Sequence, residues 1–284
     1  MIIWIASYPK SGNTWVRSFL SSYIYTNGRK FSFSDLDQIR AFPSDTEINF
    51  LKKKYGKYKF THMAENWDNF QKDIINKRKF TFLKTHNALV DVKNFSFTNL
   101  KNTIGLIYVV RDPRDVAISY SSHLDVDLKE ITNHMINPNL VEKTPDNFDR
   151  TLITSWSNHY NSWKNLPLKK IIVRYEDLID KPEETFSEVI EYLSQIINLK
   201  TDNELIKKSI NNVNFNNLKS LEKIHGFNEN KSSNKDNRFF KEGKKDQWKK
   251  KLPQNLKDVI EKNFKNEMAE NRYLSQIKQA YSLN

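Results

Sequence analysis

The sequence predicts an α/β protein in which a central parallel sheet is flanked by helices, in three layers. Short apolar runs rich in β-branched residues alternate along the chain with longer segments of helical periodicity. Because these runs are continuously apolar, each is expected to be a strand buried on both faces, as in a parallel sheet. A glycine-containing polar segment follows the first run. Loops that join a strand to a helix bind phosphate in many folds of this class, so this segment also indicates an α/β fold.

Four strands and five helices are predicted in chain order. The helix after the third strand has the clearest start, because Asp112 is a suitable N-cap, Pro113 takes the first helical position and Asp115 the first turn. The predicted strands are residues 2–6, 80–83, 104–110 and 170–173, and the predicted helices are residues 14–25, 113–123, 149–163, 182–196 and 252–266. Pro-, Gly- or Ser-rich linkers are absent, so residues 1–284 are expected to form one domain.

Composition narrows the class of protein. The chain has no cysteine, which excludes disulfides and thiolate sites. Apolar runs stay well short of the roughly 18 residues that span a bilayer, and the first residues lack a basic leader. A cytoplasmic protein without a transmembrane segment is therefore expected.

The charge is unevenly distributed. The formal net charge is +12, which favours anionic partners in general. Residues 230–251 form a basic loop with nine Lys or Arg against three Asp or Glu. Such a run can be a phosphate clamp or a solvated lysine-rich surface, because charge runs alone are weak signals.

Residues 8–15, Tyr-Pro-Lys-Ser-Gly-Asn-Thr-Trp, have the features of a phosphate-binding loop. Backbone N–H groups and the positive end of the following helix would form an anion site there. A Walker A loop places its lysine directly after the last glycine. Here Asn13 takes that position, Ser7 replaces the first glycine and the lysine comes earlier, at Lys10. The fold is therefore expected to be P-loop-like, with an anion other than the triphosphate of ATP or GTP.

This loop resembles the 5′-phosphosulfate loop of sulfotransferases that use 3′-phosphoadenosine 5′-phosphosulfate (PAPS). Three further segments are similar to motifs of that family, in the same order. Residues 82–86 resemble its Lys-Thr-His segment, residues 110–119 its 3′-phosphate motif, and residues 240–248 a degenerate form of its C-terminal loop. The resemblance extends from Tyr8 to Trp248. It implies a PAPS-dependent sulfotransferase of the cytosolic type that releases PAP.

Sulfuryl transfer needs cations at the developing charge and a base for the acceptor proton. Lys10 suits the bridging oxygen of the leaving group, and Lys84 could contact the sulfate. The resemblance implies that His86 is the general base, although a lone histidine at a strand end is more often structural. His123 could face the same site from the helix after Arg111.

The resemblance also implies which residues bind the nucleotide. Arg111 and Ser119 would hold the 3′-phosphate, with a salt bridge and a helix contact as their structural alternatives. Trp15 and Tyr175 would border the adenine, with core packing as the alternative. The expected nucleotide-binding residues are Lys10, Ser11, Gly12, Asn13, Thr14, Trp15, Arg111, Ser119, Tyr175, Lys241 and Gly243. Arg114 and Asp115 are expected to form a capping and ion-pair set instead.

The C-terminal segment departs from the family pattern. Lys241 replaces arginine and loses its bidentate geometry, and Glu242 replaces lysine. A carboxylate at this position would repel a phosphate unless it points away. Gly243 and Trp248 stay in register, so Lys241 and Gly243 are the candidates from this loop.

Two other classes of function fit less well. A P-loop kinase or NTPase would need the Gly-Lys-[Ser/Thr] sequence and an acidic pair for Mg²⁺, whereas the chain shows neither and is expected to need no metal. A nucleic-acid-binding module is disfavoured because the charge is concentrated in one loop.

The sequence leaves the acceptor open. A small molecule, a glycan or a lipid that carries a hydroxyl or an amine would share this donor machinery. Residues 30–79 and 125–146 are expected to be acceptor-binding insertions, since loops carry specificity. The sequence does not specify the oligomeric state.

Overall fold

The structure is a computed structural model, and it describes residues 1–76, 79–144, 146–147, 149–230 and 238–274. Its strands are β1 (Ile2–Ser7), β2 (Thr81–Thr85), β3 (Asp91–Val92), β4 (Phe95–Ser96), β5 (Thr103–Val110), β6 (Val141–Lys143), β7 (Asp149–Leu152) and β8 (Lys170–Arg174). Four of them form a parallel sheet in the order β2-β1-β5-β8. The remaining strands form two small antiparallel pairs.

Helices cover both faces of this sheet. They are α1 (Asn13–Leu20), α2 (Asp45–Tyr55), α3 (Phe60–Ile75), α4 (Pro113–Leu124), α5 (Leu128–Ile136), α6 (Trp156–Lys164), α7 (Tyr175–Asp180), α8 (Pro182–Ile197), α9 (Asn203–Asn212), α10 (Phe215–His225), α11 (Trp248–Lys251), α12 (Gln254–Asn263) and α13 (Lys265–Glu270). A 3₁₀ helix, Phe33–Ile39, precedes α2. Within the described ranges, no helix is long and apolar enough to cross a membrane.

The core has two halves, one on each face of the sheet. Trp4 belongs to the half that contains Trp163 of α6, and its neighbour Ile5 belongs to the half that contains Phe186 of α8. All six residues of β1 are buried. Continuous apolar runs therefore mark strands covered on both sides, and the predicted α/β fold with a central parallel sheet is confirmed.

The four predicted central strands are confirmed, whereas two predicted helices were wrong in extent and a third differs only in the type of its last turn. Residues 149–152 form β7, which pairs with β6, and α6 begins only after Ser155, which caps it. The predicted helix 252–266 begins only after Pro253, which precedes its first residue, and it is interrupted at Phe264, which separates α12 from α13. The first helix widens into a π-helical turn, Ser21–Tyr25. Tertiary pairing overrides local propensity in the first of these cases.

Strand register places the functional motifs at one edge. Ala6 pairs with Thr85, Ser7 with Val109, and Val110 with Arg174, so the four carboxyl ends lie at the same level. The residues that follow these ends therefore meet at a single edge of the sheet, where open α/β sheets bind ligands.

Candidate active site

The loop after β1 has a strained backbone fixed by its own side chains. Lys10 has φ 66° and Gly12 has φ 101°, the left-handed region that glycine tolerates best. A Cβ on Gly12 would lie 2.5 Å from Cδ2 of Tyr175, so this aromatic ring packs directly on the loop. Nδ2 of Asn13 donates to the carbonyl of Ile5 at 3.0 Å and to Oγ of Ser7 at 3.2 Å. The side chain of Asn13 thus ties the loop to the strand.

Several buried polar atoms around this loop lack a partner in the described part of the chain. They are Oγ of Ser11, Oδ1 of Asn13, Nε1 of Trp15 and Nε of Arg111. Buried polar groups are normally hydrogen-bonded, and each orphan has a cost. Three of the four can donate, which fits an anionic ligand at the loop.

A cavity of about 660 Å³ opens at this sheet edge. Ser11 is buried in the loop behind it. The cavity is lined by the other predicted site residues, namely Lys10, Gly12, Asn13, Thr14, Trp15, Lys84, His86, Arg111, Ser119, Tyr175, Lys241 and Gly243. The structure therefore brings together residues that are up to 233 positions apart in the sequence.

Lys10 is a half-buried cation. Its ammonium lies 3.7 Å from the ring centroid of Phe239, in a cation–π contact. Burial, together with the nearby charges of Arg111 and Lys241, lowers the pKa of Lys10 to about 7, although Glu229 partly opposes this. The charge on Lys10 therefore changes near neutral pH.

His86 has one ring nitrogen fixed by the end of β1. Its Nδ1 lies 2.7 Å from the carbonyl oxygen of Ser7. A carbonyl can only accept, so Nδ1 carries the hydrogen and Nε2 is the nitrogen that can take up a proton. In this tautomer Nε2 has a lone pair, which a general base needs in order to accept a proton.

Arg111 joins three parts of the site. Its Nη1 donates to the carbonyl of Lys10 at 3.1 Å, and its Nη2 donates to the carbonyl of Lys244 at 3.0 Å. Its guanidinium lies 4.4 Å from the ring centroid of Tyr175. Trp15 packs edge-on against the same ring at 6.2 Å, and against Phe186 of the core. The two aromatic residues both line the cavity and pack into the core.

Asp115 anchors the C-terminal segment. It accepts hydrogen bonds from the backbone N–H of Asp246 at 2.7 Å and of Trp248 at 2.9 Å. Arg114 binds Asp112 and stacks on Trp248 at 3.6 Å. The sequence predicted a capping and ion-pair set of Arg114 and Asp115. In the structure Asp112 and Arg114 form that set, whereas Asp115 anchors the C-terminal segment.

Lys241, Glu242 and Gly243 of the degenerate C-terminal motif line the cavity, and the charge of Glu242 is paired. Nζ of Lys241 binds Ser122 of α4, one turn beyond Ser119. Glu242 pairs with Lys251, whose hydrogen bond lowers the pKa of that carboxyl. Gly243 has φ 61°, and a Cβ there would lie 2.3 Å from Phe215, so a larger residue would not fit. The negative charge at position 242 is thus offset by a lysine.

Two charged residues that the sequence did not single out belong to this region. Glu229 lines the cavity, and its Oε1 accepts from Nη1 of the buried Arg17 at 2.6 Å. Burial tends to raise the pKa of Glu229, but Arg17 and Lys84 outweigh it and lower the pKa to about 2. Neither residue belongs to a motif, so only the fold reveals the pair.

The remaining histidines differ in their surroundings. His123 and His134 line the cavity, and the ring of His123 packs edge-on against Phe239 at 5.8 Å. His62 stacks on Tyr55 and His225 ends α10. The residues that the structure describes contain no group of acidic or histidine side chains that could hold a metal ion.

Comparisons with known proteins identify the family of this chain. A family model described as a sulfotransferase domain matches residues 2–272. Sulfotransferase 1E1 of Mus musculus is 24% identical over 270 residues, which cover 93% of this chain and 82% of that protein. Sulfotransferase 1A1 of Canis lupus familiaris is 25% identical over 202 residues, which cover 67% of this chain and 58% of that protein.

A solved structure shares the fold. The crystal structure of retinol dehydratase in complex with androsterone and inactive cofactor PAP matches with a TM-score of 0.59 and 19% sequence identity. The match covers 94% of this chain and 80% of that one.

Proposed function

Because this chain belongs to the sulfotransferase domain family, we propose that it transfers a sulfuryl group from PAPS to a hydroxyl or amine of an acceptor and releases PAP. The observation that carries the proposal is the shared cavity of Lys10, Lys84, His86 and Arg111 at the carboxyl edge of the sheet. These residues supply the cations and the base that sulfuryl transfer needs.

The donor site is the loop and the surfaces around it. The orphaned Oγ of Ser11 and the helix start after Gly12 suit the 5′-phosphosulfate. The orphaned Nε of Arg111, with Ser119, Lys241 and Gly243, suits the 3′-phosphate. Trp15 and Tyr175 offer aromatic surface beside the loop for the adenine. PAPS supplies the sulfuryl group on a phosphosulfate anhydride.

The transfer step follows from the two sides of the cavity. Nε2 of His86 takes the proton of the acceptor hydroxyl while the acceptor oxygen forms its bond to sulfur. The bond between sulfur and the bridging oxygen breaks, and the electron pair stays on the leaving phosphate of PAP. Lys10 and Lys84 stabilise the negative charge that develops on the bridging and peripheral oxygens.

Part of the cavity lining comes from the predicted insertions. Phe42 and Asp45 come from residues 30–79, and Leu140 and Glu142 come from residues 125–146. We therefore propose that these two segments select the acceptor within one domain. The mixed apolar and charged lining suits a small molecule with a polar group. A cytoplasmic location stays a prediction from the sequence, which fractionation of cells that express the tagged chain would check.

Labelled PAPS tests the proposal directly. The purified chain is incubated with [³⁵S]PAPS and a panel of phenols, alcohols, amines, sugars and lipids, without added metal and in the presence of EDTA. Calorimetry with PAP measures the donor site alone. Transfer of label and saturable PAP binding are expected. Turnover of ATP with Mg²⁺, together with no binding of PAP, would overturn the proposal.

A further inference from the structure

His159 lies at the centre of α6 and is fully buried. Both of its ring nitrogens have partners: Nδ1 is 2.8 Å from the hydroxyl of Tyr108, and Nε2 is 3.1 Å from the backbone carbonyl of His86. Burial lowers the pKa of His159 to about 3, so the ring is neutral at physiological pH.

The partners decide the tautomer of this ring. The carbonyl of His86 can only accept, so Nε2 of His159 carries the hydrogen and donates it. Nδ1 must then accept, and the hydroxyl of Tyr108 donates to it. A chain of two hydrogen bonds thus runs from Tyr108, through His159, to the backbone carbonyl of His86.

His86 is held at two separate points, its ring and its backbone carbonyl. The ring of His86 donates through Nδ1 to the carbonyl of Ser7, while its backbone carbonyl receives the hydrogen bond from His159. Two fixed points, one on β1 and one on α6, therefore set the direction of the imidazole. The ring of Tyr8 also packs edge-on against His159 at 5.7 Å, which couples the donor loop to the same contact.

We infer that His159 is a positioning residue for His86: it orients the base relative to the donor loop through the backbone carbonyl of residue 86. This inference rests on the proposed function, because it assumes that His86 takes the acceptor proton. A buried histidine in an ordinary core would serve packing alone. Here its donor is directed to the backbone of the base itself, and small displacements of a catalytic group are costly.

Three substitutions of His159 distinguish a positioning role from a packing role. In His159→Gln the amide nitrogen can reach the carbonyl of His86, whereas in His159→Asn it reaches only toward Tyr108. In His159→Leu the donor is removed at similar volume. The rate is measured with PAPS and the best acceptor, and is divided by the number of PAP-binding sites that calorimetry counts. A packing defect reduces the number of sites but leaves the rate per site unchanged.

We expect kcat per site to fall about 10- to 100-fold in His159→Leu and His159→Asn, with PAP affinity unchanged. We expect His159→Gln to recover most of the rate. Equal rates per site for the Gln and Asn variants would overturn the inference, as would a wild-type rate in His159→Leu. If His159→Leu yields no folded protein, the Gln and Asn pair decides.

A second readout needs no turnover. In ¹⁵N-histidine-labelled protein, the ring of His86 should show the tautomer protonated at Nδ1, and His159→Asn should change the ¹⁵N shifts of His86. Unchanged shifts would contradict the positioning role. A wild-type chain that lacks all transfer activity would instead refute the proposed function, so the two failures are distinguishable.

Discussion

Glu229 accepts a 2.6 Å hydrogen bond from Arg17, and it lines the cavity that also contains Lys10 and Lys84. Its carboxylate reduces the positive charge that an anionic donor meets. Since the pKa of Glu229 is about 2, it is ionised at every working pH.

Replacement of Glu229 by glutamine should tighten PAP binding. The change removes a negative charge beside the cations while it keeps the shape of the side chain. We expect affinity to rise about 3- to 10-fold at pH 6.5 and low salt, and the gain to shrink as salt screens the charges. Calorimetry measures it. Glu65→Gln, at an exposed position of α3, is the control and should have no effect. Weaker binding by Glu229→Gln would contradict the prediction.

Binding of PAP should take up a proton at Lys10. Burial lowers the pKa of this ammonium to about 7 in the nucleotide-free chain, whereas an adjacent phosphate favours the charged form and raises it. Above pH 7 the free chain is mainly neutral at Lys10, so affinity should fall by up to about tenfold per pH unit between pH 7 and 9. Calorimetry in buffers of different ionisation enthalpy measures the proton uptake.

Lys10→Arg provides the matched test of this linkage. Arginine stays charged, so the variant should bind PAP without proton uptake and with little pH dependence above pH 7. If proton uptake persists in Lys10→Arg, another group is responsible.

Loss of the base should affect chemistry and spare donor binding. We expect His86→Gln to lower kcat by about 10²- to 10⁴-fold, because base catalysis contributes a factor of this size. PAP affinity should remain close to that of the wild type. His225→Gln, at an exposed helix end, is the control. A kcat that changes by less than about threefold would exclude His86 as the base.

Gly12→Ala should disrupt the donor loop. The new methyl group would meet the ring of Tyr175 at 2.5 Å, so the ring or the loop has to move. We expect PAP binding to weaken by at least about tenfold, as a displaced loop loses its aligned N–H groups. Gly56→Ala also falls at a positive φ but meets nothing within 4 Å, and it should bind PAP normally. Similar losses in both variants would mean that backbone strain alone is responsible.

Acid should destabilise the fold through His159. Its pKa is about 3 when folded, against about 6.5 for an exposed histidine, so the unfolded chain binds the extra proton. This contribution is complete above pH 6.5 and is lost as pH falls toward 3, at up to about 1.4 kcal/mol per pH unit. Urea unfolding from pH 7 to 4 measures the slope. His159→Gln should flatten it, and an unchanged slope would point to other groups.

Patterns that are local in sequence predicted the central sheet and the loop that follows its first strand. Strands such as 104–110 are buried on both faces, and burial of this kind leaves a continuous apolar run. Residues 149–152 were assigned to a helix although their pairing partner, β6, ends only six residues earlier, because cross-strand pairing leaves no mark in helical periodicity.

The site was predictable where a residue belongs to a motif at a strand end. His86 and Arg111 are of this kind, since register brings both to one edge. Glu229 was not, because its partner Arg17 lies 212 positions away. His159 offered no signal either, because its function depends on a backbone carbonyl and on a neutral ring in the core.

The hydrogen bonds of Arg111 and Asp115 to residues 244–248 affect the order in which the chain folds during synthesis on the ribosome. The backbone groups that complete these contacts emerge more than 130 residues after the side chains that bind them. A nascent chain can therefore assemble its sheet and its donor loop well before it can close the nucleotide cleft. Ligand capture by arrested chains of increasing length would begin only once this late segment has left the exit tunnel.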